Sequence, residues 1–321
     1  MKLRLARVAL LALVPLLAAS LLTGCITSLF APYPSLPKNA IPPVVAVSSF
    51  DNKSGFSGQW ELGGGMADLL VSELLLSRNF VVVERSQLDK VVDEIHRQKD
   101  RMFRSEGRVD EGRLKNARYL IRGVINDFSQ EGGGSLSVAF KNLISLGRGG
   151  YRARVALTLT IVDVESGEII ESVPCSATAA AHSAYISATY KNVTFGGDTF
   201  FRTPLGEATA EAIHDGVHGL LERVPRIFWE PMIAAVEGRL IALNGGSRRG
   251  FKKGQRYNVR GAGRQVTDPA TGDSLTVLPG AMLGTLRVTE VQKDIAWAEP
   301  VRGIRFERGQ RLVRADEIGN P

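Results

Sequence analysis

The chain has 321 residues, of which 44% are hydrophobic and 23% are charged, with 40 Lys+Arg against 33 Asp+Glu. This composition is too apolar for a disordered chain and too charged for a polytopic helical membrane protein. The length suits about two domains. The two cysteines exclude a disulfide-rich scaffold and a Cys-rich zinc site.

The N-terminus has the features of a secretory signal. Lys2, Arg4 and Arg7 precede an apolar run, Val8–Leu22, which has about the length of a signal peptide and is short for a transmembrane span. Removal of this segment would lower the formal net charge from +7 to +4. Much of the positive excess of the whole chain is therefore predicted to be lost on processing.

The apolar run ends in a pattern that resembles a bacterial lipobox, Leu22-Thr23-Gly24-Cys25. It predicts that residues 1–24 are a lipoprotein signal peptide and that the Cys25 thiolate is acylated, becoming the first residue of the mature chain. Several acyl chains, at about 0.8 kcal/mol per buried methylene, would make a permanent anchor in lipid. Ile26, where an inner-membrane lipoprotein would carry Asp, favours the outer membrane facing the periplasm. The alternative is an ordinary secretory signal with an incidental cysteine.

A proline-rich stretch follows the predicted lipid. Its prolines are Pro32, Pro34, Pro37, Pro42 and Pro43. We interpret residues 25–43 as the lipidated cysteine and an extended tether that spans about 50 Å at the polyproline rise.

The next part of the chain alternates strand and helix patterns, and residues 44–225 are predicted to form one α/β domain. In chain order, the predicted elements are strand 44–50, helix 62–76, strand 80–85, a second helix and strand 118–125. The second helix is predicted to be capped by Ser86 and to carry Leu88, Val91, Val92 and Ile95 on one face. This order predicts a largely parallel sheet covered by helices. Further on, Tyr151–Asp163 alternates between apolar and polar residues and returns through Ile169–Val173 as a hairpin, before an amphipathic helix over Leu205–Leu221.

Two long segments flank that hairpin and match no core element. Residues 129–150 and 176–203 are rich in Gly, Ser, Thr and Ala, and both are too long for ordinary loops. Each is long enough for two strands of about ten residues, the length that crosses a bilayer. The sequence leaves two alternatives open, a membrane-inserted β-hairpin or a periplasmic flap at each segment.

The C-terminal region reads as a small β-domain. Residues 239–314 contain short strands with Gly-rich turns, such as Asp268–Asp273, as in a small barrel or sandwich. This region has 15 Lys+Arg and 6 Asp+Glu. Outside the cytoplasm such a surface suits anionic lipid head groups or an acidic partner better than nucleic acid, and a merely solvated basic face is the alternative.

No catalytic motif is visible, so we expect no enzyme, no cofactor and no metal. His214 and His218 lie one helical turn apart, but the spacing suggests no third ligand. Gly63–Gly65 match no phosphate-binding loop and are interpreted as helix-entry glycines. Cys175 is predicted to be a small buried residue.

Several motifs, in this order along the chain, resemble those of the CsgG family, the curli-production assembly lipoproteins. They are the lipobox at Cys25, Asp51–Gly55 after the first strand, Phe80–Arg85, Tyr119–Ile125 and Leu157–Ser172. The resemblance covers about residues 20–235. It implies an α/β periplasmic domain with two amphipathic hairpins per subunit, which join in a homo-oligomeric ring as an outer-membrane β-barrel that exports unfolded polypeptide.

The resemblance also implies a pore constriction, formed by the loop after the first strand. The matching loop here is shorter, and Phe56 and Trp60 are its only aromatic residues. The family's Tyr and Asn counterparts are missing, and the basic C-terminal region has no counterpart in the curli exporter. The leading hypothesis is a secretion pore for a polypeptide or another extracellular polymer. The alternative is a non-pore periplasmic lipoprotein that scaffolds an envelope complex, like penicillin-binding-protein activators or flagellar-ring proteins.

Overall fold

The structure is a computed structural model of the full chain, and it describes residues 31–131, 151–181, 193–303 and 305–315. The chain folds into two compact units. The first takes in the chain up to Leu36 together with Pro42–Pro225, and the second takes in Pro37–Ile41 together with the chain from Arg226 onward. No helix within the described ranges is long and apolar enough to cross a bilayer.

The first unit is a mixed sheet covered by helices. After β1 (Ala40–Ile41), which belongs to the second unit, its strands are β2 (Val44–Val47), β3 (Asp51–Asn52), β4 (Val81–Val82), β5 (Tyr119–Glu131), β6 (Tyr151–Asp163) and β7 (Ile169–Ala181). The strand order is β4-β2-β5-β6-β7, with β3 also paired to β5.

The predicted α/β class is confirmed, but the prediction of a largely parallel sheet is wrong. Among the strands that the structure describes, parallel pairing is confined to β2 with β4, β2 with β5 and β3 with β5. The longest strands, β5, β6 and β7, pair antiparallel over nearly their whole length. The Val164–Glu168 turn connects β6 directly to β7, without the crossover helix that a parallel pair needs.

One face of these long strands forms the core. Along β6, alternate residues are buried, including Val155, Leu157 and Leu159. Along β7 the small residues Cys175 and Ala177 continue the same face, and the predicted burial of Cys175 is confirmed. Period-two alternation therefore places one set of β6 residues, Ala153, Val155, Leu157, Leu159 and Ile161, on the buried face.

The helices of this unit are α1 (Leu62–Ser77), α2 (Leu88–Arg97), α3 (Asp198–Phe201) and α4 (Pro204–Arg223). The Glu61 carboxylate caps α1 by accepting hydrogen bonds from the Gly63 and Gly64 amides at 2.9 and 2.7 Å. Thr203 caps α4 by accepting from the Gly206 amide at 3.1 Å. Both helices therefore begin close to the positions that the sequence predicts.

Helix α2 differs from its prediction. Ser86 does not cap it, because its hydroxyl donates to Glu84 Oε1 at 2.7 Å and the helix begins after Gln87. The face predicted to be apolar does not enter the core: no residue of α2 is buried, and Val91 is 37% exposed. Amphipathic spacing identified the helix correctly, but it does not say whether a partner covers the apolar face.

The second unit is an all-β domain around its own core. Its strands are β1, β8 (Ile227–Phe228), β9 (Ile233–Glu237), β10 (Leu240–Leu243), β11 (Arg256–Arg260), β12 (Arg264–Thr267), β13 (Ser274–Leu278), β14 (Met282–Val291), β15 (Ala296–Arg302) and β16 (Arg311–Arg314). Six of them form an antiparallel sheet in the order β16-β11-β14-β15-β10-β9. A bridge between Met232 and Arg311 joins the two edges, as in a small barrel. The predicted turn Asp268–Asp273 joins β12 to β13.

Candidate functional site

Cys25 lies outside the described residues, and the first described residues after it contact the first unit. The Tyr33 hydroxyl donates to Glu73 Oε1 at 2.6 Å and lies 2.8 Å from His214 Nδ1. His214 Nε2 is 3.0 Å from the Ala31 carbonyl oxygen, and its Nδ1 is 3.1 Å from Glu73. Burial and the Glu73 carboxylate raise the pKa of the Tyr33 hydroxyl well above its usual range.

The chain is held again a few residues later. Asn79 accepts from the Leu36 amide at 3.2 Å and donates to the Pro34 carbonyl at 2.9 Å. Residues 31–36 therefore lie on the first unit, and residues 37–41 contribute β1 to the second. Within the predicted extended tether, residues 31–36 are held by Glu73 of α1, His214 of α4 and Asn79, and Ala40 and Ile41 pair with β8 of the second unit. Apart from Tyr33 between two prolines, no local pattern in the sequence indicates this contact.

The two histidines singled out in the sequence belong to this cluster. The His214 and His218 rings lie 4.9 Å apart, and Tyr33 stacks on His218 at 4.7 Å. Within the described part of the chain, no group of three or more His, Cys, Asp or Glu residues has metal-site geometry. The arrangement holds a segment of the chain in place.

The two candidate constriction residues lie in an aromatic cluster. The Phe56 and Trp60 rings stack at 5.9 Å, and Phe56 meets Phe128 edge-on at 5.1 Å. Trp60 meets Phe200 edge-on at 5.3 Å, and its indole nitrogen donates to the Val193 carbonyl at 2.7 Å. Both side chains are half-buried against the core. These contacts fix the loop to the domain, and the role of the pair in a constriction stays a prediction.

Most of both predicted hairpin segments lies outside the described residues. Residues 129–131 are the last residues of β5, and residues 176–181 are the last residues of β7. The far end of the second segment is not a strand, because residues 198–201 form α3 and Phe200 is fully buried. The range 176–203 therefore extends into the folded domain at both of its ends.

The remaining parts of the two segments leave the sheet side by side. Glu131 pairs with Arg152, and Tyr151 pairs with Ala181. Residues 132–150 and residues 182–192 consequently depart from the same end of three neighbouring strands. This is the end of the sheet at which two neighbouring hairpins would have to begin.

Several solved structures match part of this chain, at low identity and low structural similarity. A hypothetical protein from Chlamydia trachomatis is 14% identical with a TM-score of 0.38, and the match covers 57% of this chain and 98% of that one. A PelC dodecamer from Paraburkholderia phytofirmans is 14% identical with a TM-score of 0.29, covering 59% and 95%. A lipoprotein from Neisseria meningitidis is 13% identical with a TM-score of 0.26, covering 44% and 87%.

A search of curated proteins returned no match. The family model described as curli production assembly/transport component CsgG matches residues 33–242, which include every element of the first unit from Tyr33 to the end of α4. That range is about two thirds of the chain and holds four of the five motifs on which the resemblance rests. The chain therefore belongs to the CsgG family.

Proposed function

We propose that this protein is a lipid-anchored, oligomeric outer-membrane secretion pore of the curli-exporter type. Its substrate would be an unfolded polypeptide or another extracellular polymer, and several copies would form the ring. Membership of the CsgG family is the observation that carries the proposal. The lipobox at Cys25 supports the location, because acylation there would hold each copy at the membrane.

The sheet geometry supports the pore form of this proposal. Residues 132–150 number 19 and begin and end on the adjacent strands β5 and β6. Two crossing strands need about 9–11 residues each, so this span is about long enough for one hairpin. In a ring, hairpins from neighbouring copies would pair edge to edge, which leaves no unpaired strand edge in lipid.

One observation favours the second candidate, a non-pore envelope scaffold. Residues 182–192 number only 11, too few for two crossing strands. A second membrane hairpin would have to recruit residues 176–181, whose Ala177 and Ala179 are buried in the sheet, or residues 193–200. A scaffold needs no such rearrangement.

The experiment that separates the two candidates uses the mature chain with Cys25→Ser, which removes the anchor. If the protein is a pore, this variant should still require detergent to stay in solution, sediment with the mass of a ring-shaped oligomer and conduct ions in a planar bilayer. Since the acyl chains are gone, any need for detergent must come from the folded chain. A monomer that is soluble in plain buffer and has no conductance would favour the scaffold.

A further inference from the structure

The second unit contains an open cavity of about 720 Å³ between β11, β16 and the β12–β13 hairpin. Its charged lining consists of four arginines and one acid: Arg249, Arg260, Arg311, Arg314 and Glu230. The remaining walls are aromatic and aliphatic side chains with several glycines. An excess of guanidinium groups in a concave, half-enclosed site is the usual chemistry of carboxylate and phosphate recognition.

Two of these arginines face each other across adjacent strands. Arg260 on β11 is the register partner of Arg311 on β16. Like charges directly opposite in an antiparallel pair are destabilising unless something offsets them. Glu230 accepts from Arg311 Nε at 3.1 Å, and Arg260 donates to the Gly280 carbonyl at 3.4 Å. Each guanidinium has several N–H donors, so these contacts leave donors available for a bound anion.

A third arginine is held in place over an aromatic ring. The guanidinium of Arg249 lies 5.1 Å from the centre of the Trp229 ring and donates to the Lys38 carbonyl at 3.3 Å. Behind Trp229, the Phe251 ring meets it edge-on at 6.1 Å and is itself buried. This wall is therefore preorganised, which lowers the entropy lost when a ligand binds.

The rim of the cavity is apolar and exposed. Val277 and Leu278 of β13 line it and are 44% and 42% exposed. Leu275 on the same strand is 61% exposed, and Met282 at the start of β14 is 56% exposed. A soluble phosphate would make no use of these side chains, whereas a lipid surface would bury them beside its head groups.

We propose that this cavity binds the phosphate-bearing head group of an anionic lipid, with the β12–β13 hairpin lying in the membrane interface. The arginines bind the phosphate, and Leu275 and Leu278 enter the acyl boundary. The surplus of 15 Lys+Arg over 6 Asp+Glu in residues 239–314 attracts the unit to the same surface. The inference rests on the membrane location in the proposed function but not on pore formation, so failure of one leaves the other intact.

The test uses the mature full-length chain with Cys25→Ser and measures its partition onto vesicles of phosphatidylcholine with and without phosphatidylglycerol. Binding should require phosphatidylglycerol, and Arg260→Gln with Arg311→Gln should weaken it by more than the roughly fivefold per cation that general attraction to an anionic surface supplies. Lys252→Gln with Lys253→Gln is the matched control, since both lysines are exposed, lie in the same unit and do not line the cavity. Equal losses in the two double variants would overturn the cavity as the site.

A second variant and a competitor complete the test. Leu275→Ser with Leu278→Ser leaves every arginine in place, so weaker vesicle binding by this variant would confirm that the rim enters the lipid. Glycerol 3-phosphate is the soluble probe, and it should compete only weakly. Tight binding of glycerol 3-phosphate, with no loss in the rim variant, would overturn the lipid assignment in favour of a soluble phosphate.

Discussion

At the scale of single residues, Phe56 and Trp60 show how one aromatic pair fits two hypotheses. They are the aromatic residues of the loop in which the family resemblance implies a constriction, and in the folded chain they contact Phe128 and Phe200. An aromatic side chain that packs on the core, as both do, contributes to stability, and Trp60 also donates a partly buried hydrogen bond to Val193. The contacts of the described chain therefore indicate that both residues anchor the loop.

Phe56→Ala and Trp60→Ala should each destabilise the protein by about 2 kcal/mol, roughly half the effect at a fully buried site. Urea denaturation of the Cys25→Ser chain measures this change. Phe103→Ala is the control, because Phe103 lies in the same unit, is 44% exposed and has no ring contact with this cluster. Unchanged stability together with a higher channel conductance would instead assign the pair to the constriction.

Cys175 gives a prediction on pH. Burial, with a smaller effect from Asp215, raises the pKa of its thiol to about 12. The neutral thiol is therefore favoured in the folded state. Its contribution to stability is full below the ordinary pKa of 9.0 and is lost as the pH rises from there to about 12.

In the Cys25→Ser chain, where Cys175 is the only thiol, Ellman's reagent should react slowly at about pH 8 and rapidly once urea unfolds the protein. Cys175→Ala should reduce the loss of stability above about pH 9. Part of the loss of stability should remain in this variant, because the pKa of the Tyr33 hydroxyl is also raised. Rapid reaction of the folded chain would contradict the burial of this thiol.

At the scale of elements, helix α4 contains two glycines whose role is explained by its packing on the sheet. Gly216 weakens a helix in isolation, but a Cβ at this position would lie 2.8 Å from Leu159 Cδ1. At Gly219 a Cβ would lie 2.4 Å from Val173 Cγ1. The two glycines allow α4 to approach β6 and β7 closely, so the sheet and helix cover each other without a gap.

The segment between β5 and β6 carries the clearest element-scale prediction. Leu136, Val138 and Phe140 share one parity, and Ser137 and Ala139 share the other. If the segment crosses the bilayer as a strand, the first set faces lipid and the second faces the channel. A charged residue should therefore be tolerated at the channel-facing positions and should not be tolerated at the lipid-facing positions.

Val138→Lys should prevent ring assembly in detergent, because a lysine facing lipid near the midplane costs about 2–4 kcal/mol in each copy. Ser137→Lys, its neighbour, should assemble normally and change ion selectivity. Size-exclusion chromatography and bilayer recordings measure the two effects. If both variants assemble and behave alike, the segment is a flap and the scaffold is favoured.

At the scale of the whole molecule, the chain between the predicted anchor and the first unit is short. Ala31 contacts His214, so only residues 26–30 separate Cys25 from the folded domain. At about 3.3–3.6 Å per residue, the lipid can lie at most about 20 Å from this contact. An anchored copy would therefore stay close to the membrane, which suits both a ring and a lipid-binding second unit.

The sequence by itself determined the features that depend on local pattern. Alternation predicted β6 and the first residues of β7, helical spacing predicted α1 and α4 close to their observed bounds, and turn residues predicted the β character of residues 239–314. Each of these signals arises from one element burying one face, so a single chain segment contains all the information. The family followed from short motifs of the same local kind.

Only the tertiary structure decided what depends on contacts between distant segments. Tyr33, Glu73 and His214 meet although 181 positions separate Tyr33 from His214, and no local pattern records such a meeting. The aromatic contacts of Phe56 and Trp60 and the pairing of Arg260 with Arg311 arise in the same way. Strand direction and register bring these side chains together, and the free energy of each contact depends on burial, which a segment acquires only when the rest of the chain covers it.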